Sequence, residues 1–164
     1  MIEKLNLLIL TMLGLGNSKY APGTVASFAT CSIYIFFYNF QINIIYLIFG
    51  VVFIFIYSVY SIDAFKNLFS KIDAKEIVID EFIGQSIPVL TIYSFLENNN
   101  MGIFILYTFI SFVLFRLFDI WKPYPINKID KNMKNGFGVI LDDIVAGLYS
   151  VIILLMFIIF VDYV

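Results

Sequence analysis

The chain has 164 residues, of which 62% are hydrophobic, 19% aromatic and only 13% charged. Soluble globular chains are typically about half apolar and about one-quarter charged, so this composition excludes an ordinary soluble domain and predicts a membrane protein. The absence of histidine excludes a Ser/His/Asp triad and a histidine-ligated metal site, and a single cysteine excludes an internal disulfide. The net charge of −2 predicts no nucleic-acid partner.

Apolar runs set the predicted elements, because a helix needs about 20 residues to cross a bilayer. The first run, residues 5–15, is too short to cross and predicts an interfacial or re-entrant helix. Longer runs predict four or five spans, at residues 24–40, 42–62, 77–95, 102–118 and 145–161. The predicted fold is therefore all-α, a polytopic helical bundle that forms one domain over residues 1–164.

All ten basic residues fall in segments that five spans would place on one side of the membrane. The opposite segments, YNFQIN, LENNNMG and the terminal VDYV, contain none. Basic loops stay on the cytoplasmic side, so this asymmetry predicts a cytoplasmic amino terminus and an outer carboxyl terminus. The ten residues are Lys4, Lys19, Lys66, Lys71, Lys75, Arg116, Lys122, Lys128, Lys131 and Lys134.

Two adjacent acidic pairs lie at the same predicted level as the basic residues. Asp80 and Glu81 open the third span, and Asp142 and Asp143 open the fifth. A charge inside a membrane helix costs about 2.5–3.5 kcal/mol even on a lenient scale, and neighbouring carboxylates repel one another. The pairs therefore predict a functional site in which they share a cation.

Helical spacing predicts that a third group of charges joins them. Arg116, Asp119 and Lys122 recur every third residue and share one face of the fourth span. Carboxylates suit Mg²⁺, and arginine and lysine bind phosphate, so the combination predicts metal-assisted phosphoryl chemistry on a lipid. For Asp119 the alternative is an ion pair with Arg116 or Lys122.

Small residues line the helix faces that carry these charges. Gly84 follows Asp80 by one turn, and Gly147 follows Asp143 by one turn. Small residues allow membrane helices to approach closely, so these faces are predicted to turn inward. The glycine-rich segment GLGNSKYAPGT before the first span is either a turn or a phosphate contact.

Four segments resemble the signature segments of bacterial phosphatidylglycerophosphatase A, in the family's order and spacing. They are GLGNSKYAPGTVAS, IDEFIGQSIP, FRLFDIWKPYPI and GFGVILDDIVAG. The resemblance implies an Mg²⁺-dependent enzyme of the bacterial inner membrane that hydrolyses phosphatidylglycerophosphate to phosphatidylglycerol and inorganic phosphate. It also implies an all-α bundle in which one central helix is surrounded by the others. The distribution of the basic residues predicts an active site at the cytoplasmic face, and the sequence gives no sign of an obligate protein partner.

The resemblance also implies roles for individual residues of this chain. The catalytic carboxylates are expected to be Asp80, Glu81, Asp119, Asp142 and Asp143. Of these, the expected metal ligands are Asp80, Glu81, Asp142 and Asp143. The expected phosphate-binding residues are Arg116, Lys122, Lys19, Gly23 and Thr24.

Two questions stay open at the level of sequence. The phosphate could be attacked by a water molecule that a carboxylate orients, or by a carboxylate that becomes an aspartyl-phosphate. Intramembrane carboxylates also mark ion pathways, so a small ion-coupled transporter is the alternative function. A transporter predicts charges spread through the membrane depth, whereas here they stop near one surface.

Overall fold

The computed structural model describes residues 2–65, 74–96 and 100–163, and the predicted loop residues Lys66 and Lys71 lie outside these ranges. The described residues form seven α-helices and no strand, as the all-α prediction requires. The helices are α1 (Ile2–Leu10), α2 (Pro22–Asn39), α3 (Ile44–Ala64), α4 (Ile79–Phe95), α5 (Met101–Trp121), α6 (Ile126–Asn132) and α7 (Gly136–Tyr163).

Among the described residues, three helices are long and apolar enough to cross a membrane: α3, α5 and α7 up to Phe160. Their outer faces carry exposed large apolar side chains such as Phe53, Phe109 and Phe160. Such faces are typical of helices in contact with lipid. The two weaker predicted spans form helices of 18 residues (α2) and 17 residues (α4), and a total of four or five spans stays a prediction.

A short first helix is confirmed, although it spans Ile2–Leu10 and not residues 5–15, and it contacts the rest of the bundle at two points. The side chain of Asn6 accepts hydrogen bonds from the hydroxyls of Tyr57 and Ser61 on α3. At the end of the helix, the carbonyl of Leu10 accepts a hydrogen bond of 3.0 Å from the N–H of Val78, which precedes α4. These contacts hold the glycine-rich segment after α1 beside the start of α4.

Helix α4 is the central helix that the resemblance implies, because it packs against α2, α3, α5 and α7. Its polar stripe is buried inside the bundle, including Gln85 and Ser86, which are both fully buried. Gly84 and Gly147 meet where α4 crosses α7, and a Cβ on Gly147 would overlap the carbonyl oxygen of Gly84. The predicted close approach of small residues therefore forms the α4–α7 crossing.

The fifth predicted span is longer than its apolar run. Helix α7 begins at Gly136, nine residues before the predicted start at residue 145. The helix can include these more polar residues because its amino terminus is capped. The N–H of Gly136 donates to Asp63 Oδ1 at 2.7 Å, and that of Gly138 donates to Asn135 Oδ1 at 2.8 Å. Asp142 and Asp143 consequently lie within α7 and not before it.

Candidate active site

A cavity of about 630 Å³ lies where α4 and α7 begin, α5 ends and the segment before α2 returns to the bundle. Nine of the ten sequence-predicted site residues line it, and Thr24, one residue beyond Gly23, does not. The nine are Lys19, Gly23, Asp80, Glu81, Arg116, Asp119, Lys122, Asp142 and Asp143. Residues as far apart in the chain as Lys19 and Asp143 therefore form one site.

Three carboxylates form a group that could hold a metal ion. One oxygen each from Asp80, Glu81 and Asp143 lies within 4.8 Å of the others. Within the described ranges, neither Asp80 nor Asp143 forms an ion pair, and the buried Oε2 of Glu81 has no hydrogen-bond partner. Converging carboxylate oxygens of this kind, of which only those of Glu81 lie near a cationic side chain in the described part of the chain, fit a hard divalent cation such as Mg²⁺.

The first turn of α4 explains part of this arrangement. Asp80 and Glu81 lie in that turn, where the helix dipole favours negative charge. The N–H of Glu81 donates to Asp80 Oδ1 at 3.1 Å, which orients the Asp80 carboxylate. Asp143 approaches from α7 because the Gly84–Gly147 crossing brings the two helices together.

Arg116 lies beside the carboxylate group. Its Nη1 is 2.7 Å from Asp119 Oδ2 and 4.0 Å from Glu81 Oε1. Despite these short distances, neither Nε nor Nη1 has an acceptor in hydrogen-bonding geometry among the described residues. The guanidinium is thus paired by charge and still has donors for an anion such as phosphate. Asp119 does form the ion pair with Arg116, and its catalytic role stays a prediction.

Lys122 lies between two other carboxylates. Its Nζ is 2.7 Å from Asp142 Oδ2 and 2.9 Å from Asp130 Oδ1. Burial would lower the pKa of Lys122, but the hydrogen bonds and charges of Asp142 and Asp130 outweigh it and raise the pKa above its usual value. Lys122 is therefore a cation at any physiological pH. Asp142 is the one predicted metal ligand that lies outside the carboxylate group, since its carboxylate binds Lys122.

The start of α2 closes the cavity from a fourth side. Ala21 precedes this helix with a φ of 44° and no side-chain cap, and Pro22 is its first residue. A Cβ on Gly23 would overlap Glu81 Oε1 and lie 3.1 Å from Arg116 Nη1. Any larger residue here would therefore displace the Glu81 carboxylate from its present position. Lys19 lines the cavity from the exposed segment before it.

Sequence reasoning missed Asp130 as a site residue. It lies on α6, a seven-residue helix within the segment that has no apolar run, so neither helical periodicity nor charge in an apolar segment marks it. The only available signal is a carboxylate near Lys122 in the sequence. That signal is weak because the segment also contains three exposed lysines, Lys128, Lys131 and Lys134.

Replacing Gly23 with alanine is expected to lower kcat about 10- to 100-fold, because the added methyl group must displace the Glu81 carboxylate from its neighbours. The matched control is Gly102→Ala, whose Cβ would have no neighbour closer than 3.5 Å. Phosphate release by both purified variants measures the effect. Equal activity of the two variants would show that the contact between Gly23 and Glu81 does not matter for catalysis.

Comparison with known proteins supports a phosphatase. The family model described as Phosphatidylglycerophosphatase A matches residues 8–158. A protein of Bacteroides thetaiotaomicron, provisionally named a phosphatidylinositol-3-phosphatase, is 32% identical over 92% of this chain and 91% of its own length. No solved structure matches.

Two further relatives carry the name phosphatidylglycerophosphatase A. The Haemophilus influenzae protein is 40% identical over 49% of this chain, and the Escherichia coli protein is 41% identical over 48%. These two alignments span less than half of each relative, 45% and 41% of their lengths. Together with the family match over nearly the whole sequence, they establish that the chain belongs to the phosphatidylglycerophosphatase A family, a family of membrane-bound phosphatases.

Proposed function

We propose that this protein hydrolyses phosphatidylglycerophosphate to phosphatidylglycerol and inorganic phosphate, with Mg²⁺ as cofactor, at the cytoplasmic face of the inner membrane. The observation that carries the proposal is one cavity in which the group of Asp80, Glu81 and Asp143 lies beside Arg116 and Lys122. Metal ligands next to two phosphate-binding cations are the parts that phosphate-ester hydrolysis needs.

Asp80, Glu81 and Asp143 would hold the cation, which when bound supplies positive charge to phosphate oxygens and to a water molecule. Arg116 contributes guanidinium donors that lack a hydrogen-bond acceptor among the described residues, and Lys122 contributes a fixed positive charge. Charge on the phosphate oxygens is thereby stabilised by groups that are already in place.

Asp119 is the carboxylate that we assign to the attacking water. It lines the cavity outside the metal-binding group, and its Oδ2 is held 2.7 Å from Arg116. In this role it orients the water and accepts its proton as the water oxygen bonds to phosphorus and the phosphorus–oxygen bond to the lipid breaks. Asp119 then returns this proton to the departing lipid oxygen, so the products are the lipid alcohol and inorganic phosphate. Attack by a carboxylate is the other route, and a trapped phosphoaspartate in a slowly turning-over variant would favour it.

The cytoplasmic location rests on the charge distribution. Basic residues that line the cavity, such as Lys75 and Lys134, lie at the same end of the bundle as the carboxylates. Basic segments stay on the cytoplasmic side, and their charges attract anionic lipid headgroups. To test this orientation, Lys128, which is exposed, is replaced with cysteine and treated with a membrane-impermeant thiol reagent. Labelling of this cysteine in intact spheroplasts would contradict a cytoplasmic location.

A phosphatidylinositol phosphate is the second candidate substrate, because the Bacteroides thetaiotaomicron relative is named for one and matches 92% of this chain. Both lipids present a phosphate monoester on a polyol headgroup, so the same charged groups would serve either. An ion-coupled transporter is not favoured, since the chain belongs to a phosphatase family.

The test is phosphate release by the purified protein from phosphatidylglycerophosphate and from phosphatidylinositol-3-phosphate, each in mixed micelles with Mg²⁺ or with EDTA. We expect rapid release from phosphatidylglycerophosphate with Mg²⁺ and at least a hundredfold lower rate with EDTA, in the range of a lost electrostatic catalyst. A preference for the inositol lipid would overturn the proposed substrate, and full activity in EDTA would overturn the proposed cofactor.

A further inference from the structure

Asp130 makes a contact that nothing in the proposed mechanism has used. Its Oδ1 lies 2.9 Å from the Nζ of Lys122, on the short helix α6 that follows α5. We propose that Asp130 is a positioning residue which, together with Asp142, holds the Lys122 ammonium at the cavity wall for phosphate binding. This inference rests on the proposed function, because it assumes that Lys122 binds the substrate phosphate.

Lys122 needs such support because of where it lies. It follows the last residue of α5 with a φ of 46°, a left-handed backbone that points the chain away from the helix. Its side chain is a flexible stem of four carbons and is 29% exposed. A single ion pair would therefore leave the ammonium group free to move. Two carboxylates from different helices, α6 and α7, restrict it from two sides.

The two carboxylates are not equivalent. The side chain of Asp142 is 8% exposed, and Asp142 lies on α7 beside Asp143. It therefore contacts Lys122 from the buried side of the site. Asp130 is 29% exposed and lies on the outer side. Without Asp130, Lys122 could turn away from the entrance toward Asp142 alone, or toward solvent.

Asp130 is itself held in place. The Nζ of Lys134 donates to its backbone carbonyl at 2.5 Å, and α6 packs against α7. Burial would raise the pKa of Asp130, but the hydrogen bond and charge of Lys122, followed by the charges of Lys134 and Lys131, lower the pKa below its usual value. The carboxylate is thus ionised and in place before substrate arrives.

A purely structural ion pair is the competing explanation, and a double-mutant cycle separates the two. In a positioning role, Asp130→Asn lowers kcat about 10- to 100-fold, the range for losing a residue that orients a functional group. It has no further effect when Lys122 is already Met, because Asp130 acts through Lys122. In a structural role, the two changes lower activity independently and lower the melting temperature.

The experiment uses the full-length protein in detergent with four variants: Asp130→Asn, Asp130→Glu, Lys122→Met and the double variant Asp130→Asn/Lys122→Met. Asn127→Ala is the control, since Asn127 is an exposed residue of the same helix. Measurements are kcat and KM on the lipid substrate, Kd for inorganic phosphate, and melting temperature. We expect weaker phosphate binding with Asn, partial rescue with Glu, and a double variant equal to Lys122→Met.

Each outcome decides the question. Additive effects in the double variant, or a phosphate Kd that Asp130→Asn leaves unchanged, would overturn the positioning role. If the wild-type protein releases no phosphate from any lipid, the proposed function fails, and the phosphate-binding measurement still tests Asp130 by itself. If the wild type is active and Asp130→Asn matches Asn127→Ala, only the positioning role fails.

Discussion

Replacing Asp80 with asparagine is expected to lower kcat about a thousandfold while the fold is retained. Asparagine has the same shape but no charge, so the group formed with Glu81 and Asp143 loses one of three negative ligands. Losing one preorganised electrostatic group in an active site costs about 10²–10³ in kcat, and the proposed metal ion would also be bound more weakly. Phosphate release from the lipid substrate by the purified variant is the measurement.

Metal binding gives this prediction a second measurement and a matched control. Mn²⁺ binding, followed by its paramagnetic resonance signal, is expected to be strongly weakened in Asp80→Asn. It is expected to persist in Asp142→Asn, because the Asp142 carboxylate contacts Lys122 and lies outside the metal-binding group. Equal loss in both variants would show that Asp142 is also a ligand, and unchanged activity in Asp80→Asn would overturn the site.

Replacing Gly84 with alanine is expected to destabilise the protein by about 1–3 kcal/mol, the usual cost of overpacking a closely packed interior. The added Cβ would lie 2.7 Å from both the carbonyl oxygen of Asp143 and a ring carbon of Phe115. The carbonyl oxygen of Asp143 belongs to the backbone of α7, so it cannot move aside by itself as the end of a side chain can. Helices α4 and α7 must therefore separate. That movement also draws Asp143 away from Asp80, so activity is expected to fall as well.

The control for this substitution is Gly50→Ala on α3. A Cβ on Gly50 would meet no atom within 4 Å, and alanine favours a helix over glycine by about 1 kcal/mol. The two alanines are therefore expected to change the thermal midpoint in opposite directions, with Gly84→Ala lower and Gly50→Ala equal or higher. A Gly84→Ala protein as stable and active as Gly50→Ala would contradict the close crossing.

Much of this site could be predicted from the sequence because charge is costly in an apolar helix. Each acidic pair stands out against its apolar neighbours, so Asp80, Glu81, Asp142 and Asp143 were predicted as site residues, and all four line the cavity. The spacing of Arg116, Asp119 and Lys122 similarly predicted one shared helix face, and all three line the same cavity. The all-α fold and the short first helix could also be predicted, from the lengths of the apolar runs.

Other features depend on how the helices pack. Adjacent residues on a helix point about 100° apart, so Asp142 and Asp143 contact different neighbours, and only the packing shows which carboxylate lies beside Asp80 and which binds Lys122. Asp130 joins the site because α6 folds back onto α7, a contact that no local pattern encodes.

The sequence alone therefore determined an all-α bundle with long apolar helices and a set of charges at one end, since burial of charge and helix length are local properties. The tertiary structure decided which charges meet. The crossing at Gly84 and Gly147 brings Asp143 to Asp80 and Glu81, and the return of α6 brings Asp130 to Lys122. Contacts between distant segments depend on side-chain packing across helices, which periodicity within one helix does not specify.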